Sequence, residues 1–277
     1  MPTVPESSDG ALGAVNSAVA DLLALTEVDE DTFDGWCHDG RPGWIYGGHV
    51  AAQALAAAGA TVAAQRVAHS LHGYFIRPGR AEEPVRYQVD RTRDGRSFST
   101  RQVNAIQRGK VIFALLASFH VPEDGFSHQL AEVSLPPVPE PDGELVALLR
   151  NSEMERLMDI RPVDRDAPNG RQRFWMRIRE PLGDDPLTHA AALTYLSDSY
   201  LALSTILPHR RPGQLPVTSL DHALWLHRPF RADDWLLVDQ RGSIAAGARG
   251  LATGEFFTAD GVLVATVGQE ALIRDPR

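Results

Sequence analysis

A carboxylate interrupts a segment that is otherwise suited to the interior of a protein. Residues 187–207, LTHAAALTYLSDSYLALSTIL, are apolar nearly all round at helical spacing, and Asp198 falls on a stripe of small and apolar side chains. Burying an unpaired carboxylate is costly, so we expect Asp198 either to be hydrogen-bonded or to take part in chemistry. The flanking serines favour a second interpretation, in which Asp198 caps a helix.

Two more polar residues lie on predicted strands of the same half. Alternation along residues 263–273 places Gln269 in an apolar row, where its amide needs hydrogen-bond partners. Ser219 begins another strand-like run and brings a hydroxyl group. Each signal also has an ordinary structural explanation. The three residues therefore indicate an active site only if the fold brings them together.

Other constellations that carry chemistry are incomplete. The run GRSFS at residues 95–99 lacks the final glycine of a G-x-S-x-G nucleophile elbow, which argues against a hydrolase of that type. The chain has no glycine-rich phosphate-binding motif. Four histidines occur in pairs without further ligands at metal spacing, so we expect core or surface positions for them and no metal site: His69, His72, His222 and His227.

The chain carries an internal repeat. The Arg-Pro dipeptide at residues 77–78 recurs 151 positions later, at residues 228–229. The same offset aligns GKVIFALL (109–116) with DGVLVATV, and GGHVAAQALA (47–56) with DSYLALSTIL. Three separated matches in one register indicate a duplicated domain.

Each half is predicted to be a helix followed by an antiparallel meander. The first helix starts at the glycine pair 47–48 and is rich in alanine. The second starts at DDP, residues 184–186, with Asp as N-cap and Pro in the first turn, and is predicted to run to Leu207. Strands are predicted at 70–76, 85–93, 98–107 and 110–121, and at 171–179, 219–226, 235–241, 248–257 and 262–273.

Two sheets that each wrap one buried helix make a double hot dog, an α+β fold in which each repeat has an antiparallel sheet around a long central helix. We expect an N-terminal hot-dog domain at 14–122, a Pro-rich linker with a short helix at 123–170, and a C-terminal hot-dog domain at 171–277. The linker helix is predicted at 144–158, and another short helix at 14–25.

Composition and charge limit the function further. The chain has 277 residues and a net charge of −9, which argues against general binding to nucleic acid or to anionic membranes. The lone Cys37 excludes an internal disulfide and is typical of a reducing compartment. The sequence has neither an apolar run of about 18 residues nor the pattern of a signal peptide. We therefore expect a cytoplasmic protein without stable membrane association.

Six long motifs lie between residues 22 and 274: YGGHVAAQALAAA, HSLHGYFIRPG, RDGRSFSTRQVNAIQRGKVIFALLASF, LDHALWLHRPF, ARGLATGEFFTADGVLVA and QEALIR. Together they resemble the acyl-CoA thioesterase II family. The resemblance implies a double hot dog that hydrolyses fatty acyl-CoA thioesters with neither a metal nor an organic cofactor. It also implies catalysis by an Asp, a Thr and a Gln of the second hot dog.

The family's catalytic residues fall on the polar positions described above. The motif YLSD implies that the catalytic Asp is Asp198, and the QE pair implies that the Gln is Gln269. Ser219, three positions before the histidine of LDH, stands where the family has Thr and keeps the hydroxyl group with a less restrained rotamer. Another departure is His49, where the family often has Gln. The implied mechanism has Asp198 deprotonate a water that Ser219 and Gln269 hold in line with the thioester carbonyl.

The repeat predicts one active site per chain. In the first half the offset places Gly47, Ala68 and Ser118 at the positions of the three catalytic residues. Direct attack by Asp198, which would form an anhydride, is the alternative to the water route. Help for the oxyanion is expected from backbone amides at a helix N-terminus, with no indication of which helix.

The expected substrate contacts follow from the same resemblance. The acyl chain is expected in an apolar tunnel beside the second helix, with arginines for the CoA phosphates at its mouth. The residues assigned to substrate binding are Gly47, Gly48, Arg77, Arg101, Arg228 and Arg249. The expected partners are acyl-CoA and further copies of the chain, joined through sheet edges as a homo-oligomer.

Two other functions stay open. Asp184 and His189 have the Asp-x4-His spacing of hot-dog hydratases that act on enoyl-CoA, although Asp184 also fits a helix cap. An assay that follows loss of the double bond of enoyl-CoA tests the hydratase alternative. The Thr-to-Ser change at position 219 also leaves room for a non-catalytic acyl-CoA-binding protein, which would release no free thiol.

Overall fold

The computed structural model describes residues 18–41, 43–129, 135–140, 156–163, 170–209 and 217–274. In this part of the chain the helices are α1 (Ala18–Leu23), α2 (Gly47–Ala60) and α3 (Pro186–Ser197), with 3-10 turns at Ala202–Thr205 and Leu207–His209. The strands are β1 (Leu25–Asp29), β2 (Thr32–Gly35), β3 (Asp39–Arg41), β4 (Trp44–Ile45), β5 (Val67–Phe75), β6 (Val85–Asp94), β7 (Phe98–Gln107), β8 (Lys110–His120), β9 (Met158–Pro162), β10 (Arg171–Ile178), β11 (Val217–Ser219), β12 (Asp221–Leu226), β13 (Leu236–Ala246), β14 (Arg249–Thr258) and β15 (Leu263–Ile273).

One antiparallel sheet runs through both halves of the described chain. Its strand order is β1-β2-β6-β7-β8-β5-β12-β15-β14-β13-β10-β9, and β11 also pairs with β15. The halves meet where β5 pairs with β12, with His72 opposite Ala223. The sheet therefore consists of two similar halves, as the repeat predicted, and the halves are joined edge to edge.

The two central helices lie side by side inside the sheet and run antiparallel. The backbone N–H of Gly48, at the start of α2, donates to Asp198 at the end of α3. At the other end, a Cβ on Gly59 would lie 2.4 Å from Leu187, at the start of α3. Alanine and glycine allow this close approach because their side chains are small. Ten residues of α2 are buried, and Val50 and Leu55 are the only branched aliphatic residues among them.

Local signals set the start of α3 as predicted. Asp185 is the N-cap, and its carboxylate accepts hydrogen bonds from the backbone N–H groups of Leu187 and Thr188, with Pro186 in the first turn. The buried side chains of both halves form one continuous hydrophobic cluster around the helices. The architecture is the expected double hot dog.

The end of α3 differs from the prediction. The helix ends at Ser197 rather than at Leu207. The backbone N–H of Asp198, at the C-cap, bonds to Leu196 O, and Tyr200 then takes a positive φ of 61°, which a right-handed helix cannot accommodate. Neither Gly nor Pro marks this point in the sequence, so the apolar pattern continued without a visible stop.

The register of the repeat also needs correction. Pro186 begins α3 139 positions after Gly47 begins α2, so the gapless match of residues 47–56 to residues 198–207 is wrong. By strand register, the β14–β15 hairpin has one residue more than the β7–β8 hairpin. Ala117 pairs with Arg101, and Gln269 pairs with Ala252, 151 positions after Arg101. Gln269 therefore corresponds to Ala117, one position before the Ser118 that the offset indicated.

Some elements were not predicted. Residues 31–44, for which the sequence predicts a loop or strand, contain β2, β3 and the start of β4, whereas β1 was not predicted and β9 lies within the predicted linker. Of the helix predicted at 144–158, residues 144–155 lie outside the described part, Arg156 and Leu157 are helical, and Met158 begins β9. The first predicted helix begins at Ala18 in the described chain, and its residues 14–17 lie outside. None of the helices described is long and apolar enough to cross a membrane.

Candidate active site

A cavity of about 730 Å³ opens between the start of α2, the segment that follows α3, and β11. Its walls are mainly apolar, and include Trp44, Val50, Phe75, Ile112 and Phe113. The polar groups that reach it come mostly from the second half: Asp198, Ser199, Thr218 and Ser219, with Arg77 from the first half. An apolar pocket with a few convergent polar groups is the usual form of a small-molecule site.

Asp198 joins the two halves at this cavity. Its Oδ1 accepts a 2.6 Å hydrogen bond from Gln269 Nε2, and its Oδ2 accepts a 2.8 Å hydrogen bond from the backbone N–H of Gly48. The half-buried carboxylate therefore sits at the positive end of α2. Asp198 is therefore both hydrogen-bonded and a helix cap: it follows the last turn of α3 and caps the first turn of α2.

The glycine pair makes this approach possible. A Cβ on Gly47 would lie 2.9 Å from Asp198 Oδ2 and 3.0 Å from Phe75 Cε1. A Cβ on Gly48 would lie 2.6 Å from the backbone oxygen of Tyr195. Any larger residue at either position would push the end of α3, or the carboxylate itself, away from the start of α2.

Gln269 is fully buried on β15, where the alternation predicted it. Besides its bond to Asp198, its Nε2 lies 3.3 Å from His222 Nδ1. Its carbonyl oxygen Oε1 has no hydrogen-bond partner among the described residues. Since buried polar atoms are normally paired, this unpaired oxygen is unusual among the buried groups of the site.

Ser219 lies on the same face of the sheet as Gln269. It pairs with Ala271 across β11 and β15, and Ala271 is two residues from Gln269, so all three side chains point to the same side. Ser219 lines the cavity, and its hydroxyl has no hydrogen-bond partner in the described part of the chain. The neighbouring Thr218 is the more exposed of the two.

Gly47, the first residue of α2, also lines the cavity. Tyr46, the N-cap of α2, gives no side-chain hydrogen bond to the first turn. Gly48 N–H is bonded to Asp198, and His49 N–H is bonded to Tyr46 O, whereas Gly47 N–H has no acceptor among the described residues. This group is therefore a free donor beside the carboxylate.

Buried polar groups hold the start of α2 against α3. Tyr46 donates its hydroxyl hydrogen to Tyr195 O at 3.1 Å, and its oxygen lies 3.0 Å from Ser199 Oγ. Burial and the nearby charge of Asp198 raise the pKa of Tyr46 well above its usual value, so it stays neutral. His49 accepts from the backbone N–H of His38 and lies against Leu22 O.

The other arginines assigned to substrate binding lie away from the cavity, and only Arg77 lines it. Arg101 is 1% exposed, and its guanidinium donates to Thr61 and Asp94, so its assignment to the cavity mouth was wrong. Arg228 donates to the backbone of His128 and Leu263 and to Gln129, which ties the linker to the sheet. Arg249 forms an exposed ion pair with Glu270.

Asp184 and His189 do not form a hydratase site. Asp184 is almost fully exposed and pairs with Arg231. His189 is buried, accepts from Ala232 N–H through Nδ1, and donates from Nε2 to Gly183 O. Neither residue lines the cavity, so the geometry that this alternative requires is not present.

The matching place in the first half lacks reactive groups. Counted from the helix starts, Asp198 corresponds to Gly59, which packs on Leu187. Ser219 corresponds to Ala68, and Gln269 corresponds to Ala117, by strand register. In addition, the described residues contain no group of three or more His, Cys, Asp or Glu that could hold a metal ion.

Sequence reasoning missed His222 at the site. The sequence predicts only a core or surface position for this histidine, and a residue three positions after Ser219 would lie on the opposite face of a regular strand. The strand breaks at Leu220, between β11 and β12, and this break turns His222 inward beside Gln269. The lone cysteine, Cys37, is buried, and burial raises its pKa to about 12, as fits a passive thiol.

Comparisons with known proteins agree with this architecture. A family model described as acyl-CoA thioesterase N-terminal domain matches residues 34–120, and one described as acyl-CoA thioesterase C-terminal domain matches residues 132–273. Human acyl-coenzyme A thioesterase 8 is 36% identical over an alignment of 312 residues that covers 99% of this chain and 96% of the human protein.

Solved structures give the same result. The crystal structure of an acyl-CoA thioesterase II from Mycobacterium marinum is similar with a TM-score of 0.82 and 43% identity, covering 94% of this chain and 98% of that chain. A hot-dog protein of unknown function from Alicyclobacillus acidocaldarius shares the fold, with a TM-score of 0.78, 22% identity, and coverage of 95% of this chain and 100% of that chain. The chain therefore belongs to the acyl-CoA thioesterase II family, a family of thioester hydrolases with the double hot-dog fold.

Proposed function

We propose that the protein hydrolyses acyl-CoA thioesters to a free acid and CoA, with Asp198, Ser219 and Gln269 as its catalytic residues. The observation that carries the proposal is the position of Asp198, bonded to Gln269 and to the start of α2 at the wall of an apolar cavity. Hydrolysis of a thioester needs a positioned water, a base for its proton and donors for the oxyanion. Each requirement has a named group in this cavity.

Asp198 is the proposed base. A carboxylate has about four acceptor positions, and two are taken by Gln269 and Gly48. The others are free to accept a hydrogen from water. The Ser219 hydroxyl, at the cavity wall, and Gln269 Oε1, which has no partner among the described residues, supply further contacts that fix the direction of this water.

The first turn of α2 is the proposed source of oxyanion stabilisation. Gly47 N–H is a free donor at the positive end of a 14-residue helix. Water attacks the thioester carbonyl while its proton passes to Asp198, and the tetrahedral oxyanion accepts the hydrogen bond from Gly47. The C–S bond then breaks, and the CoA sulfur leaves with the proton returned by Asp198.

The cavity walls fit the proposed substrate. The acyl chain lies against Val50, Phe75 and Phe113, and burial of each CH₂ group contributes about 0.8 kcal/mol. The exposed Arg77, which donates to Val111 O, is placed to meet a CoA phosphate at the opening. Because the matching position in the first half lacks a carboxylate, we propose one active site per chain.

Release of free thiol from a panel of straight-chain and branched acyl-CoAs tests the function. We expect turnover of at least one class of acyl-CoA, with a preference set by the length of the cavity. Tight binding without any thiol release would instead support a non-catalytic binding protein. In a single turnover in oxygen-18 water, label should enter only the released acid; label in the Asp198 carboxylate would mean an anhydride intermediate.

We also propose a homo-oligomer formed through sheet edges. In the described chain β1 and β9 are the terminal strands of the sheet, and terminal strands have unpaired backbone groups that can join another copy. Sedimentation equilibrium should give a mass above that of one chain. A monomer at micromolar concentration would contradict this proposal.

Two further proposals concern the cell and the domains. A cytoplasmic location fits the lone buried thiol, and cell fractionation tests it. The division into residues 14–122, 123–170 and 171–277 predicts that limited proteolysis cuts first within the linker. Early cleavage inside either hot dog would contradict that division.

A further inference from the structure

The amide group of Gln269 has to be oriented before it can act. An amide can rotate by half a turn and exchange its oxygen and nitrogen with little change in shape. In the orientation seen, Nε2 faces both Asp198 Oδ1, at 2.6 Å, and His222 Nδ1, at 3.3 Å. The reversed orientation would place the amide oxygen against two acceptors. His222 therefore adds to the preference for the orientation that leaves Oε1 free.

The proton on His222 is fixed by a chain of hydrogen bonds from α3. The hydroxyl of Ser197 donates its only hydrogen to Thr194 O, at 2.9 Å. Ser197 Oγ must then accept from His222 Nε2, which lies 2.8 Å away. Since Nε2 carries the hydrogen, Nδ1 presents a lone pair to Gln269.

The surroundings keep this imidazole neutral. His222 is 1% exposed, and burial lowers its pKa, against the opposing effect of the charges on Asp198 and Asp221. A protonated ring would turn Nδ1 into a donor facing the amide hydrogens of Gln269. The neutral ring instead accepts one of those hydrogens and leaves the other for Asp198.

We infer that His222 is a positioning residue for thioester hydrolysis, which holds the Gln269 amide so that Nε2 faces Asp198 and Oε1 stays free to accept from the attacking water. This inference rests on the proposed function of Asp198 and Gln269. His222 itself contacts no substrate, because it acts through Gln269. Neither His222 nor Gln269 is among the residues that line the cavity, and Gln269 reaches it through its hydrogen bond to Asp198. Its contribution belongs to the chemical step and not to substrate binding.

Two substitutions test the roles of the two ring nitrogens of His222 separately. In His222→Asn the side-chain oxygen takes the place of Nδ1 and still accepts from Gln269, while the contact with Ser197 is lost. In His222→Gln the amide nitrogen takes the place of Nε2 and still donates to Ser197, while the acceptor beside Gln269 is lost. His227→Gln, at a partly exposed histidine bonded to Thr266, is the matched control.

The experiment measures kcat and KM by free-thiol release, together with Tm, for the full-length enzyme. We expect His222→Gln to lower kcat by about 10- to 100-fold, because small misplacements of a catalytic group have effects of this order. We expect KM to stay nearly constant, and His222→Asn to recover most of the lost kcat. Wild-type kcat in His222→Gln, or an equal loss in both variants, would overturn the inference.

Ser197→Ala provides a test that keeps the ring in place if a His222 variant does not fold. Without the acceptor at Ser197, the ring hydrogen is free to move to Nδ1 and face Gln269. We expect a smaller loss of kcat at constant KM, and an unchanged kcat would contradict the inference. Asp198→Asn separates the two proposals: full turnover in that variant refutes the proposed role of Asp198 as the base, whereas normal His222→Gln beside an inactive Asp198→Asn refutes only the role of His222.

Discussion

Substitution of the two adjacent glycines should separate activity from stability. In Gly47→Ala the new methyl group would lie 2.9 Å from Asp198 Oδ2 and 3.0 Å from Phe75 Cε1. Both neighbours are side chains, so they can retreat by a few tenths of an ångström. The carboxylate then moves from its hydrogen bonds to Gly48 and Gln269, which measure 2.8 and 2.6 Å.

The expected result for Gly47→Ala is a selective loss of turnover. Displacement of the base and crowding of the oxyanion donor should lower kcat by about 10- to 100-fold. Replacing glycine by alanine in a helix gains roughly 0.5–1 kcal/mol, which offsets the steric cost. We therefore expect Tm to change by no more than about 4 °C.

Gly48→Ala is the matched variant with the opposite expectation. Its methyl group would lie 2.6 Å from the backbone oxygen of Tyr195, which cannot move without moving α3. Overpacking of this kind costs about 1–3 kcal/mol, which should lower Tm by several degrees. Thermal unfolding and thiol release on both variants provide the test. Full kcat in Gly47→Ala, or equal Tm losses in the two variants, would refute the reasoning.

Three further predictions concern single residues. Burial lowers the pKa of His49 from 6.5 to about 3, so the stability gained by keeping it neutral is complete above pH 6.5 and is lost as the pH falls toward 3. Between pH 7 and pH 4.5 the free energy of unfolding should decrease by roughly 3 kcal/mol more than in His49→Gln, and equal pH dependence in urea titrations would contradict this. Arg77→Ala should raise KM for acyl-CoA by about 5- to 10-fold at unchanged kcat. Arg91→Ala, which removes an exposed ion pair on β6, should leave KM unchanged. With a truncated thioester that lacks the phosphates, Arg77→Ala should also leave KM unchanged. Ser219→Ala should lower kcat by about 10-fold or more and Ser219→Thr should retain it, so equal rates in these two variants would exclude a role for the hydroxyl.

Local chemistry made part of the fold readable from the sequence. The Asp-Pro pair at 185–186 identified the start of α3, because a capping carboxylate and a fixed proline φ act within one turn. Alternation along 263–273 identified both the burial of β15 and the isolated Gln269. These signals depend only on neighbours in the chain.

The end of α3 could not be read in this way. Tyr200 has the left-handed conformation that usually marks glycine, and it is held there by packing and not by its own preference. The extra residue in the β14–β15 hairpin likewise shifted the repeat by one residue. Such differences arise when distant segments compete for the same space, and no short pattern records the outcome.

The residues of the site likewise divide into those that the sequence identifies and those that only the fold reveals. Asp198 and Gln269 were identified by their chemistry, but the hydrogen bonds of Asp198 to Gln269 and to Gly48 unite three distant parts of the chain. Arg101, by contrast, looked like a free cation on a strand, yet it is buried with Asp94 as its partner. Charge type alone does not distinguish an arginine that binds a ligand from one that supports a hairpin.

The most direct test of the account is Asp198→Asn in the full-length protein, with thiol release from the best acyl-CoA substrate and Tm measured on the same preparation. The amide keeps the size of the carboxylate and one acceptor for Gly48, while its NH₂ group faces Gln269, so the protein should stay folded with Tm lowered by only a few degrees. Loss of the base should lower kcat by at least about 100-fold. Turnover near that of the wild type in a folded Asp198→Asn protein would show that the catalytic base lies elsewhere.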